Sequence, residues 1–266
     1  MPVPPYDHHL NLAMQTVATA ALWGGTVALL AWTMRLWRRD GSIVPFVMVV
    51  AVAVGSIIEP LYDIAYHLLW YTPGQWTLFT AFALPQPVWV MPAYVMVFAF
   101  PAVLIHRRLL RRADPGFVFK MAGLLALTTA VFETTANNID LYGYYGPAPM
   151  RFLKYPLWIG VMEGTQIAGF AVLATVLARR ATRPAHYLAL FAVFPANFAF
   201  DVLGAGFPTI IAINTPHPST PVMWLSAVAS IALAATALWW TAQLLGRDVP
   251  VADRRLPVTA VGADVS

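Results

Sequence analysis

Seven apolar stretches, interrupted only by isolated polar residues, alternate along the chain with short charged or proline-rich segments. They run over residues 14–37, 43–70, 87–106, 117–140, 157–178, 187–207 and 222–245. Each has about 20 residues or more, the length an α-helix needs to cross a hydrocarbon core of ~30 Å. The pattern predicts an all-α polytopic bundle of seven transmembrane helices over residues 1–245. A polar tail, 246–266, reads as disordered, and nothing marks a second domain. Composition agrees: 59% of residues are hydrophobic and 11% charged, against about a quarter charged in soluble domains.

Charge sets the expected orientation. Arg35, Arg38 and Arg39 close the first stretch, and Arg107, Arg108, Arg111, Arg112 and Lys120 bracket the turn between the third and fourth. Arg179, Arg180 and Arg183 follow the fifth, and Arg247, Arg254 and Arg255 follow the seventh. That places 14 of 16 basic residues on one side, leaving Arg151 and Lys154 on the other. By the positive-inside rule the N-terminus lies outside, and the C-terminus and its tail lie in the cytoplasm, in the cell membrane. The basic pI of about 9.5 therefore reflects helix ends rather than a nucleic-acid surface. The N-terminal segment lacks a positively charged leader pattern, so the first helix is expected to remain.

Against this apolar background stand six acids inside the expected spans: Glu59, Asp63, Glu133, Asp140, Glu163 and Asp201. They include every glutamate in the chain, with no lysine or arginine at comparable depth. One ionised acid near a bilayer centre costs about 2.5–3.5 kcal/mol on insertion scales. Such acids must be protonated, surround a cation, or line a wet cavity. A spacing of four places Glu59, Asp63 and His67 on one stripe of the second helix, with Tyr62 and Tyr66 beside them. Glu133, Asn137 and Asp140 share a face of the fourth. The fifth carries Glu163 with Gln166, and the sixth Asn197 with Asp201. In the expected orientation, all four stripes lie between the midplane and the outer surface, where they can converge. Asp140 and His67 are near enough to the interface to be solvated and structural instead, and the amides Asn137, Asn138 and Gln166 can serve as interhelical glue.

Pro45, Pro60, Pro92, Pro101 and Pro195 fall within the helices, where each removes a donor and bends the span. Pro60 leaves the Ser56 carbonyl without its usual partner. The loops 71–86, 141–156 and 204–221, rich in Pro, Gly and aromatics, read either as lids over an outer cavity or as an interfacial aromatic belt.

These residues favour acid-initiated chemistry on a lipophilic, isoprenoid-like substrate. A buried neutral carboxylic acid can protonate an epoxide, alkene or carbonyl. Aromatic faces can then stabilise a carbocation. Glu59, Asp63, Glu133, Asp201 and Glu163 are the catalytic candidates. Glu59 or Asp63 is the expected donor, with Glu133 and Asp201 stabilising the cation or accepting the proton. Tyr62, Tyr66, Trp89, Tyr94, Asn137, Trp158, Gln166, Phe194, Asn197, Phe198 and Phe200 are candidates to hold substrate. No cofactor is expected. The expected partners are a lipophilic small molecule and membrane lipids, with no nucleic acid, and the oligomeric state stays open.

In size, helix count and acid placement the chain resembles the small seven-helix integral-membrane terpene cyclases of meroterpenoid and indole-diterpene pathways. Those enzymes use a glutamate in the second helix, which Glu59 would match. They also use an aspartate towards the C-terminal end, for which Asp201 in the sixth helix is the nearest position. The resemblance implies cyclisation of a protonated polyene or epoxide.

Two other readings stay open. Glu59, Asp63 and His67, completed by Glu133 or Asp201, could ligate a transition metal in an oxidoreductase or oxygenase subunit. Alternatively, the acids could serve a proton-coupled carrier or a ligand-binding membrane protein. Other classes are excluded. The seventh helix has no lysine for a retinal Schiff base, and the six histidines lack the clusters of di-iron hydroxylases. No glycine-rich phosphate cradle or serine–histidine nucleophile pattern appears. The proposed pocket lacks bases to grip a diphosphate. With no cysteine, disulfides and thiolate-bound metals are ruled out.

Overall fold

The structure, a computed structural model, describes residues 2–247. Seven of its helices are long and apolar enough to cross a membrane. They are α1 (Leu12–Asp40), α2 (Val44–Tyr66), α3 (Val90–Arg111), α4 (Pro115–Asn138), α5 (Leu157–Arg180), α6 (Pro184–Ala205) and α8 (Thr220–Gly246). A short α7 (Phe207–Asn214) lies between the last two. The expected spans are matched in number and order. Nearly all of the expected tail lies outside the described residues.

Local chemistry sets the helix ends. The Asn11 side chain accepts from the Met14 N–H at 3.2 Å, and Asp114 accepts from Phe117 N–H at 3.1 Å, each satisfying an orphan donor of a first turn. Gly41 ends α1 at φ 71°, a left-handed conformation that only glycine enters without steric cost. Proline opens α4 at its first position and occupies the second position of α8, where the missing N–H is harmless.

Three prolines reshape their helices, and two do not. Pro45 and Pro92 fall in first turns, so neither kinks its span. At Pro60 the helix tightens: Ser56–Ile58 is a 3-10 turn, and Glu59 N–H donates to the Ser56 carbonyl. The expected orphan at Ser56 is thus satisfied one residue early. Pro101 has the opposite effect. It cannot donate to Val97, so Val95–Ala99 widens into a π-helical turn closed by Phe100 N–H to Val95 O. Pro195 lies inside α6, and a second π turn, Ala199–Ala205, follows it and holds Asp201.

The most buried span is α5, which packs against α2, α3, α4, α6 and α8. Its contact with α4 is a backbone approach. A Cβ at Gly164 would run into the Ala122 carbonyl oxygen and stand 2.7 Å from Ala126 N, and one at Gly160 would stand 2.9 Å from Ala126 O. Small residues at a spacing of four are a common device for close packing in membranes, where apolar surface alone gives helices no reason to associate. By contrast α1 is peripheral, burying one stripe of Gln15, Thr26, Leu29, Thr33 and Leu36.

The loops opposite the arginine-rich helix ends are folded, and this corrects the purely helical expectation. β1 (Leu68–Trp70) pairs antiparallel with β4 (Tyr142–Tyr144), setting Trp70 opposite Tyr142. β2 (Thr77–Ala81) pairs with β3 (Leu84–Pro87), and β5 (Arg151–Phe152) with β6 (Tyr155–Pro156). Gln15 of α1 ties the 71–86 loop down, donating to Gly74 O at 3.2 Å and accepting from Trp76 N–H at 2.8 Å. The 204–221 loop contains α7.

Two residues expected on helical stripes sit beyond the helix ends. His67 caps α2 at φ 56°. Its Nε2 lies 2.9 Å from Asn214 Oδ1, with its ring stacked on Tyr145 at 5.1 Å. Asp140 follows α4 at φ 57°, where Lys154 donates to it at 2.8 Å and His8 Nε2 lies at 3.2 Å. Lys154 holds the Asp140 carboxyl below its ordinary range. Asp140 is therefore a paired interfacial acid, which corrects its place among the unpaired six. His8 also packs on Tyr71, with ring centroids 4.0 Å apart.

Candidate functional site

All three glutamates meet at one cavity. Glu59 from α2, Glu133 from α4 and Glu163 from α5 line it, with an aromatic wall of Tyr62, Trp70, Trp89, Tyr94, Phe98, Phe132, Tyr142, Tyr144 and Phe198. Aliphatic side chains complete the lining, and no lysine, arginine or histidine is on it. The cavity is narrow: the centre of a water molecule can move through about 40 Å³ of it, and the roughly 460 Å³ of empty space between its lining residues includes open solvent at the mouth.

Each acid has its own surroundings. Tyr94 donates its hydroxyl to Glu59 Oε2. The Asp63 carboxyl lies within hydrogen-bond reach of Glu59 one turn on, while its Oδ2 accepts from Gln86 Nε2 at 2.6 Å and Trp70 Nε1 at 3.1 Å. Asp63 Oδ1 has neither N–H nor O–H partner. One proton held between the two carboxyls would satisfy the pair, because two ionised acids at that separation repel in a poorly screened interior. Asp63 is thus a supporting group behind the wall, and Gln86, Trp70 and Tyr94 fix the pair.

Glu133 closes a tyrosine relay. Tyr144 donates to it at 3.1 Å, and Tyr62 lies 2.9 Å from the Tyr144 oxygen. With the Tyr144 proton committed to the carboxyl, Tyr62 donates to Tyr144. Glu163 is the least satisfied: its buried Oε2 has no protein partner, nor does the Trp89 indole N–H. Buried polar atoms without partners are uncommon in folded proteins. A donor and an acceptor of this kind on the residues of one cavity are suited to a polar atom of a ligand or to water.

The aromatic wall is organised. Tyr94, Phe98 and Phe198 form a cluster with centroids 4.8–6.1 Å apart. Trp70 meets Trp89 edge-on at 5.0 Å and Tyr142 at 4.5 Å. These separations match ordinary aromatic packing, and a cation above any of these faces would be attracted by the ring quadrupole.

Several expected residues lie elsewhere. Asp201 does not line the cavity. It accepts from Thr165 Oγ1 at 2.8 Å behind a stack in which Tyr66 lies 4.4 Å from Tyr62 and 5.1 Å from Trp158. Tyr66 itself donates to the Val202 carbonyl. Phe194 is core, wedged against Gly55 and Phe170, and Phe200 is 65% exposed on the outer surface of the bundle. Asn137 donates to the Glu133 carbonyl at 2.8 Å, one turn back on its own helix. Asn197 donates to the Gln166 carbonyl at 3.0 Å. Both amides therefore serve helix packing, while the fully buried Gln166 side chain has no partner at either atom.

The metal arrangement does not form, because His67 turns to Asn214. Among the described residues no three His, Asp or Glu side chains are grouped to hold an ion. His106, in the last turns of α3, is fully buried, with Nδ1 3.0 Å from Thr175 Oγ1. Comparisons with protein-family models, curated proteins and solved structures find no match.

Proposed function

We propose that this protein is an integral-membrane enzyme of the cell membrane that uses the glutamate-lined cavity for acid-initiated cyclisation or isomerisation of a lipophilic, isoprenoid-like substrate. The observation that carries the reading is the convergence of Glu59, Glu133 and Glu163 on one aromatic-walled cavity without a basic side chain on its lining. Glu59 is the proton donor, its partners being Tyr94 and Asp63. Transfer of its proton to an alkene carbon or epoxide oxygen leaves a carbocation that the ring faces stabilise. Glu133 or Glu163 then accepts a proton from the neighbouring carbon as the new double bond forms. One proton enters and one leaves, so the product has the mass of the substrate. The cavity faces the outer side under the orientation expected from the arginines. The absence of a basic grip on the lining disfavours a diphosphate substrate, which leaves an alkene, an epoxide or a carbonyl as the reacting group.

The test is mass spectrometry of lipid extracts from an isoprenoid-producing host expressing the protein, beside a Glu59→Gln control. A new compound isomeric with a host isoprenoid, lost in the control, is expected. A product heavier by one oxygen would instead indicate oxygenase chemistry, and one heavier by water a hydratase. No new compound from well-expressed protein would favour a binding or carrier role and contradict the proposal.

A further inference from the structure

A second cavity, almost entirely apolar, opens on the bundle surface between α1, α3 and α4, with about 440 Å³ of space for a water-sized molecule. Leu22, Met96, Phe100, Met121, Leu124 and Thr128 form most of its wall. The threonine hydroxyls there are turned away from it: Thr128 and Thr129 both donate to the Leu125 carbonyl, at 3.1 and 2.8 Å. The surface offered to an occupant is thus hydrocarbon and thioether, and methionines adapt readily to irregular apolar shapes.

Two residues, Val97 and Phe132, line both this groove and the glutamate cavity. Phe132 immediately precedes Glu133. Val97 stands in the π turn that Pro101 forces on α3, and π turns are frequent at functional sites. A thin wall of two apolar side chains, one on an irregular helix, separates hydrocarbon from three carboxylic acids.

Depth and the shared wall together select the occupant. Along α4 (Pro115–Asn138) the groove extends from Met121 to Phe132, about 16 Å at 1.5 Å per residue, and leaves about 9 Å of helix at either end. It therefore sits in the middle of the ~30 Å hydrocarbon layer. A phospholipid reaches this depth only with an acyl tail, its head held at the interface, whereas a chain whose reactive end passes the shared wall to the glutamates needs a head small enough to leave the interface.

We infer that the groove binds the hydrocarbon chain of a single-chain, isoprenoid-like ligand, and that Val97 and Phe132 form the gate through which its reactive end passes from the lipid phase to Glu59, Glu133 and Glu163. This deepens the proposed reading of the acid cavity and rests on it for the ligand class. Lateral entry also removes the need for a route through the folded loops.

The test is photolabelling in phosphatidylcholine–phosphatidylglycerol proteoliposomes with a diazirine-bearing farnesol, followed by peptide mapping. Adducts are expected on the groove positions Met96, Phe100, Met121, Leu124, Leu125 and Phe132, and at Glu133. Filling the groove with Thr128→Trp, or independently with the surface substitution Leu124→Trp, is expected to lower both sets at least about tenfold, equivalent to 1.4 kcal/mol of lost binding. Leu127→Trp, on the adjacent exposed surface, should leave them unchanged. Adducts spread evenly over exposed positions such as Leu127 and Val131, or undiminished in both filled variants, would overturn the inference. So would a diazirine phosphatidylcholine that labels the groove equally and is not displaced by excess farnesol. The two readings fail separately. Groove labelling as expected, with no new compound in the host, would reject the acid chemistry and keep the binding site, whereas full product yield in both filled variants would reject the gate.

Discussion

Glu59 and Tyr94 meet at the wall of the acid cavity, the phenol of α3 donating to the carboxyl of α2. The bond leaves the second carboxyl oxygen of Glu59 for a proton, and it steadies the carboxylate once that proton has gone. Tyr94→Phe keeps the ring and removes the donor. A hydrogen bond to a charged group is worth about 1.5–3 kcal/mol, so turnover should fall about tenfold to a hundredfold. Product yield per folded protein measures this, and an unchanged thermal midpoint would separate it from unfolding.

The α2–α7 junction should weaken on acidification. Asn214 Nδ2 donates to Ala65 O at 3.3 Å and Ile210 O at 2.9 Å, which leaves its Oδ1 as an acceptor for a proton on His67 Nε2. Burial lowers the His67 pKa below its ordinary 6.5. The unfolded chain therefore takes up a proton that the folded chain refuses. The resulting stability is present above pH 6.5 and declines as pH falls below it. Amide exchange in residues 207–214, corrected for intrinsic rate, should be faster at acid than at neutral pH. His67→Asn, which tolerates the left-handed backbone, should remove the difference.

Packing of α4 on α5 depends on the absent side chain at Gly164. Because the obstructing atoms are backbone, no rotamer change relieves the clash in Gly164→Val. We expect a loss of about 1–3 kcal/mol, the usual cost of overpacking, seen as a lower melting temperature in detergent. Gly123→Ala, whose Cβ would meet nothing within 4 Å, should be neutral or slightly stabilising.

Orientation can be read by labelling, since the chain contains no cysteine. A single cysteine at Thr80, exposed on the β2–β3 hairpin, should react with an impermeant maleimide in intact cells. One at Thr182, exposed beyond the arginine-rich end of α5, should react only after permeabilisation. The reverse pattern would place the acid cavity on the cytoplasmic side.

The spans were legible because each is a long apolar run, and the acids were legible because no lysine or arginine in those runs lies at their depth. Depth and a spacing of four brought Glu59, Asp63, Glu133 and Glu163 to one region. That reasoning failed at Asp140 and His67, where left-handed residues end the helices before the stripe does. It also failed at Asn137 and Asn197, whose side chains turn to helix carbonyls rather than inward. Trp70, Tyr142 and Tyr144 were missed because they enter through the β1–β4 pair. Its strands are three residues each, far apart in sequence and fully buried, so no polar alternation announces them. Gly160 and Gly164 stand four residues apart in the sequence, but their meaning appears only with the α4 backbone they meet.

Isosteric replacement around the cavity tests the central claim most directly. Product yield is measured in lipid extracts of the isoprenoid-producing host carrying Glu59→Gln, Glu133→Gln, Glu163→Gln or Asp201→Asn, with each protein shown to be inserted and folded. Glu59→Gln should lose at least about a hundredfold, the contribution of a positioned general acid. Glu133→Gln and Glu163→Gln should also fall sharply, while Asp201→Asn, away from the lining, should retain most of the yield. Full yield from all three glutamine variants, or loss confined to Asp201→Asn, would contradict the account.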